Sequence, residues 1–121
     1  MKKVKLGYNG WANYETWLVS VQGIIDYMQE YALEEMQIAQ QISKGEHWEE
    51  VYDRNKVDAG FCEEMFETYV EGDIPKYGIV ADFVNASIKE IDFREIADHV
   101  NDYLEEEAER LDDELRGPGR R

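Results

Sequence analysis

Residues 92–115 hold eleven carboxylates in twenty-four positions: Asp92, Glu95, Asp98, Asp102, Glu105, Glu106, Glu107, Glu109, Asp112, Asp113 and Glu114. Only two bases, Arg94 and Arg110, lie among them. A helix rises ~1.5 Å per residue, so this stretch spans about 36 Å and carries one carboxylate per ~3.3 Å of axis. One strand of B-DNA presents a phosphate every ~3.4 Å. As a helix, the segment therefore approximates the line charge of a DNA strand and suits a basic groove that normally holds nucleic acid. The competing reading is an ordinary solvated face of an acidic protein.

Carboxylates can also ligate metals or move protons. Glu95 and His99 stand at i,i+4, and Glu46, His47, Glu49 and Glu50 form a second local group. A di-iron bundle needs a Glu-x-x-His pair from each of two helices. The chain has two histidines, and neither stands in that spacing. Nucleophiles are equally poorly served. Cys62 lies between Phe61 and Glu63, where burial and anions raise a thiol pKa rather than lower it. Ser20, Ser43 and Ser87 have no neighbouring base, and the glycines form no phosphate-binding loop. The expectation is a non-enzyme with no catalytic residue, no metal site and no cofactor.

The elements that position these acids read as helices. Asn9-Gly10 is a turn signal. Asn13 is a preferred N-cap, with Glu15 in the first turn and Trp17, Leu18 and Val21 opening an apolar face. Gln22-Gly23 breaks or kinks this helix, and Ile24, Ile25, Met28, Tyr31, Ala32 and Met36 resume the helical spacing until about Ile42. Ser43-Lys44-Gly45 terminates it. A short helix is expected over Glu46–Arg54, a longer one over Val57–Glu71, and a strongly apolar one over Tyr77–Glu90 that reads as the central helix. Asp92 then caps the last helix, with Glu95 three residues on. Along that helix Phe93, Ala97, Val100, Leu104, Ala108, Leu111 and Leu115 form a nearly heptad-like seam, suited to packing inside the domain or across a homodimer.

These expectations define an all-α fold, a single compact bundle of four to six helices. Residues 1–12 form an N-terminal arm and turn, with a short extended stretch where Val4 and Leu6 alternate with lysines; residues 13–115 form the helical body, and 116–121 a frayed basic tail. At 121 residues one domain is expected, and 43% hydrophobic with 12% aromatic content is a globular composition. The basic start MKKVKLGYNGW has no apolar stretch behind it, so no signal peptide is expected. The lone Cys62 excludes an internal disulfide or a cysteine-based zinc site and suits a reducing cytoplasm.

Charge narrows the partners. The chain carries 28 acidic and 13 basic residues, a net of −15, and residues 13–115 hold all 28 acids with only seven bases. Such a body repels nucleic acid and anionic membrane and attracts basic protein surfaces. Asp98, Asp102, Glu105, Glu106, Glu109, Asp112 and Asp113 are therefore the expected partner-binding residues, with help from Glu63 and Glu67. The aromatic trio Trp11, Tyr14 and Trp17 is spaced by three. Tyr14 and Trp17 then share a helix face while Trp11 folds back as a staple. The trio reads as a structural clamp at the end of the bundle, with a partner-facing aromatic anchor as the alternative.

Two blocks carry a resemblance. NGWANYETWLV, residues 9–19, resembles the NGW-x-NYETW opening of a family of small proteins from phages, plasmids and bacterial genomes. GIVADFVNASIKEIDFREIADHV, residues 78–100, is similar to that family's closing block, in which an ADLLN-type helix precedes an NWREIAEH-type helix. Asp92-Phe93 replaces the Asn-Trp of that pattern, and the acidic stretch Asn101–Leu115 extends it. The resemblance implies a small helical intracellular protein of mobile-element type and carries no catalytic assignment. Small acidic phage proteins recurrently act as DNA mimics against host defence, so anti-CRISPR or anti-restriction inhibition of a host complex in the cytoplasm is the expected function, by analogy of charge and origin. A non-catalytic dimerisation or regulatory module is the alternative.

Overall fold

In the computed structural model the described residues run from 9 to 116. The expected arm up to residue 8 and the tail beyond residue 116 lie outside them. The fold is all-α: six helices and one 3-10 turn, with no strand among the described residues. No helix among them is long and apolar enough to cross a membrane.

Helix α1, Tyr14–Val21, begins where Asn13 turns extended and its side chain accepts from the Thr16 amide. Gly23, at φ +80°, then redirects the chain into α2, Ile24–Ile42. A Cβ there would meet no neighbour, so the glycine serves the left-handed backbone rather than close packing. Helix α2 turns Ile24, Ile25, Met28, Ala32 and Met36 inward. It closes with a Schellman motif: the Gly45 amide donates to the Gln40 carbonyl and the Lys44 amide to that of Gln41. The left-handed position next to the cap falls on Lys44 at φ +61°, while the glycine expected as terminator follows it at φ +90°.

Helix α3, Trp48–Arg54, is short and directs Trp48, Val51 and Tyr52 inward. Helix α4, Ala59–Val70, is capped by Asp58, whose carboxylate accepts from the Phe61 amide at 2.8 Å. A 3-10 turn, Glu71–Asp73, leads toward α5, Ile79–Ile88. Helix α6, Phe93–Arg116, is the longest, and Asp92 caps it as expected, accepting from the Glu95 amide at 3.0 Å.

The central helix is α6, which corrects the expectation for the apolar stretch 77–90. Phe93, Ile96, Ala97, Val100, Leu104 and Ala108 are buried, and α6 packs against α2, α3 and α4. Val100 and Leu104 are fully buried, each contributing about 1.5–3 kcal/mol of transfer free energy. The seam therefore packs within the domain, and only its last residue, Leu115, is exposed. Helix α5 buries Ala81 alone and leaves Ile79, Val80 and Phe83 56–70% exposed. Mean hydropathy favoured α5, yet a core-spanning helix needs a continuous one-sided stripe and enough length to meet several neighbours. Helix α6 has both beneath its acids.

Candidate functional site

Helical geometry sorts the acids of α6 by direction. Asp98, Asp102, Glu105, Glu106, Glu109 and Asp113 fall within an arc of roughly 100° on the side away from the buried stripe. All six are exposed. They extend over about 22 Å of axis, one carboxylate per ~4 Å, slightly sparser than DNA phosphates at ~3.4 Å. Glu95 falls within the same arc but is half-buried and accepts from the Ala12 amide, while the other four acids of the segment lie outside it. Arg110 stands about 40° beyond the arc's Glu106 edge and turns away from it, its guanidinium donating to Glu107 at 2.7 Å and Glu114 at 2.6 Å. The exposed Arg94 borders the arc's other edge, four residues before Asp98.

Asp112 departs from its expected role. Its side chain is only 12% exposed, and its carboxylate accepts from the backbone amides of Trp48 at 2.9 Å and Glu49 at 3.2 Å. These are the first two amides of α3, whose own cap residue, His47, supplies no side-chain bond. Asp112 thus caps α3 from another helix, and its charge meets the positive end of that helix. His47 Nδ1 stands 3.8 Å from the same carboxylate. An open cleft of about 720 Å³ lies alongside, lined by His47, Glu49, Glu50, Glu109, Asp112 and Asp113. Glu63 and Glu67 are exposed on α4, and among the described residues no shared cleft or hydrogen bond joins them to the α6 arc.

At its other end the arc abuts the aromatic opening segment. The rings of Trp11 and His99 lie 5.1 Å apart, beside a shallow cleft of about 280 Å³ that includes Glu95, Asp98 and Asp102. The rings of Tyr14 and Trp17 meet at 5.7 Å, tilted by 40°, on the outer side of α1, with Tyr14 48% exposed. Trp11 packs on the core and against His99 of α6. The Tyr14–Trp17 pair forms as the spacing implies.

The fastener between α1 and α6 is polar. Asn13 Oδ1 accepts from the Thr16 amide at 2.9 Å and the Thr16 hydroxyl at 2.7 Å, while its Nδ2 donates to the Glu90 carbonyl at 2.7 Å. Thr16 is fully buried, and its hydroxyl oxygen accepts from the Asp92 amide at 2.8 Å. Asp92 caps α6, and Glu95 Oε1 accepts from the Ala12 amide at 3.0 Å. In an ordinary capping box the third-position Glu returns to its own cap amide. Here Thr16 takes that amide and Glu95 reaches across to the other helix start. Each helix start thus satisfies donors of the other. Sequence reading found both caps but missed Thr16 and the exchange; the visible trace was the pair of three-residue cap spacings, Asn13–Thr16 and Asp92–Glu95.

Asn101 was also missed. Its amide brackets Val57, accepting from the Val57 N–H at 2.8 Å and donating to the Val57 carbonyl at 2.9 Å, which ties the α3–α4 connection to α6.

The local electrostatics follow from the charge map. Burial raises the Tyr52 hydroxyl above its usual range, and Glu105, Asp102 and Asp53 push the same way. Cys62 is fully buried; desolvation, then Asp58, pushes its thiol up to about 12. Glu46, bonded twice by the Arg54 guanidinium at 2.6 and 2.7 Å, is lowered to about 2. Among the described residues no group of three or more His, Cys, Asp and Glu side chains is placed to hold a metal ion.

No protein-family model matches the chain, and no match emerges among curated proteins or solved structures.

Proposed function

We propose that this chain is a non-catalytic inhibitor that occupies the basic nucleic-acid-binding surface of a host defence complex, a CRISPR effector or a restriction enzyme, as a DNA mimic. One observation carries the reading: six exposed carboxylates line one outward arc of α6, and the neighbouring Arg110 is tied to Glu107 and Glu114 instead. A rigid helix presents them at nearly the pitch of phosphates, so no chemistry is required, only competition for the groove. The resemblance of the opening and closing blocks to small mobile-element proteins supports an origin in which such an inhibitor is useful, with the host cytoplasm as its place of action.

The test is a DNA-cleavage assay against a panel of purified restriction enzymes and CRISPR effectors, with the wild type and a variant carrying Asp98→Lys, Asp102→Lys, Glu105→Lys and Glu109→Lys. All four positions are exposed, so the variant should retain its helical circular dichroism. Inhibition by the wild type should fall steeply between about 50 and 200 mM salt, as a basic groove's hold on phosphates does. It should be lost in the variant. A folded variant that inhibits as well as the wild type would refute the mimicry.

A further inference from the structure

The acidic arc leaves a second surface unexplained. Helix α5 exposes Tyr77 just before it and Ile79, Val80 and Phe83 along it, 56–86% open to solvent. Taking ~150–250 Å² for a full large side chain, these four expose on the order of 500 Å², near the upper end of the largest apolar patch usual on a monomer. The patch continues into a groove of about 470 Å³ between α1, α4 and α5. Val19, Ile24 and Phe66 form its buried floor, and Leu18, Tyr69 and Phe83 its exposed walls. The groove is mainly apolar, within the size range of sites that take a ligand or a partner's side chains.

Charge indicates what kind of partner fits. Among the described residues the charged side chains lining the groove, Glu15 and Asp73, are both acidic, and no base lines it. The body around it is strongly negative. We propose that this groove receives a basic amphipathic helix of a partner protein. Apolar residues at i, i+3 or i+4, and i+7 would enter between Leu18, Tyr69 and Phe83, and flanking lysines or arginines would face Glu15 and Asp73. Helix-in-groove recognition uses this division of labour, with apolar anchors for affinity and charge for orientation and approach. A second copy of the chain brings the same net charge of −15 to the contact and is repelled. The proposal uses neither the α6 arc nor its reading as a DNA mimic, so the two stand or fall separately.

The experiment measures fluorescence anisotropy of a labelled Leu/Lys peptide patterned as an amphipathic helix, titrated with the full chain. A peptide of the same composition in strictly alternating order, which cannot gather its leucines on a helical face, is the control. The helical peptide should bind at least about tenfold tighter than the control. The double variant Val80→Ser, Phe83→Ser should lose at least about tenfold in affinity. Both side chains are exposed, so its circular dichroism should match the wild type. The four-lysine α6 variant should retain the preference for the helical peptide over the control, which separates this groove from the acidic arc. Equal binding of the two peptides would reduce the interaction to bulk charge and overturn the proposal. An unchanged affinity in the Val80/Phe83 variant would overturn it as well. So would sedimentation showing a wild-type dimer that the same variant converts to monomer, because the occupant would then be a second copy.

Discussion

Replacing Asp112 with alanine removes the only side-chain cap that α3 receives among the described residues. Two bonds are lost, at 2.9 and 3.2 Å, and both involve a carboxylate acting on amides at a helix N-terminus. Loss of an N-cap costs about 0.5–2 kcal/mol. Hydrogen bonds to a charged group contribute about 1.5–3 kcal/mol. The Trp48 amide belongs to a buried residue and the Glu49 amide to an exposed one, so water recovers part of the second loss. The expected cost is therefore about 2 kcal/mol, or roughly 6–10 °C in Tm for a domain of this size. Asp112→Asn keeps one good acceptor and should lose about half as much. Glu106→Ala, on the outer arc of the same helix, should stay within about 0.5 kcal/mol of wild type. Thermal and urea unfolding measure all three variants. Amide exchange localises the effect, since Trp48 and Glu49 should exchange faster in the alanine variant. If Asp112→Ala unfolds together with Glu106→Ala, the cap is decorative and Asp112 returns to the set of partner-facing acids.

Three further outcomes follow from the same geometry. Asn101→Asp turns the donor that holds the Val57 carbonyl into a second acceptor facing it; the loss should reach about 2–3 kcal/mol in urea unfolding, against a smaller loss for Asn101→Ser. Glu46 is depressed to about 2 by Arg54, so its pairing contributes fully above the ordinary Glu pKa and is lost as pH falls toward 2. An NMR titration should show the Glu46 carboxyl return to the usual range in Arg54→Gln; a titration still near 2 would assign the depression to another cause. Cys62, fully buried with its thiol raised to about 12, should react with an aromatic disulfide reagent only at the rate of opening, and urea should restore ordinary reactivity. Rapid labelling of the native protein would contradict that burial.

Helix starts and stops were legible because they are local. Asn13 and Asp92 are cap residues by type, and Ser43-Lys44-Gly45 is a stop by composition, whereas the helix expected from Val57 starts two residues later behind the unread cap Asp58. The apolar spacing of α2 and α6 likewise announced their buried sides. The relation between distant elements was not legible. Nothing in the local pattern around Asp112 says that it serves the start of α3, sixty-four residues earlier. Its type and neighbours match those of Asp113, which is exposed, and only the tertiary position of α3 distinguishes them. Helix α5 misled for a related reason. Hydrophobic content measures the benefit of burial, while burial itself needs a neighbour to supply a surface, and α6 already engages α2, α3 and α4. What read as surplus core is instead an uncovered patch.

The cap that α3 receives from Asp112 also sets an order of events during synthesis. A helix of seven residues is too short to persist alone in water. Its side-chain cap lies sixty-four residues downstream, so α3 leaves the ribosome long before the group that closes its first turn exists. The same holds for Thr16, which must wait for the Asp92 amide. Early helices of this chain can therefore form and dissolve but not lock. Native structure should arrive late and all at once, when the second half of α6 emerges. A nascent chain arrested before residue 112 should remain open to protease across α3, and one extended well past it should not.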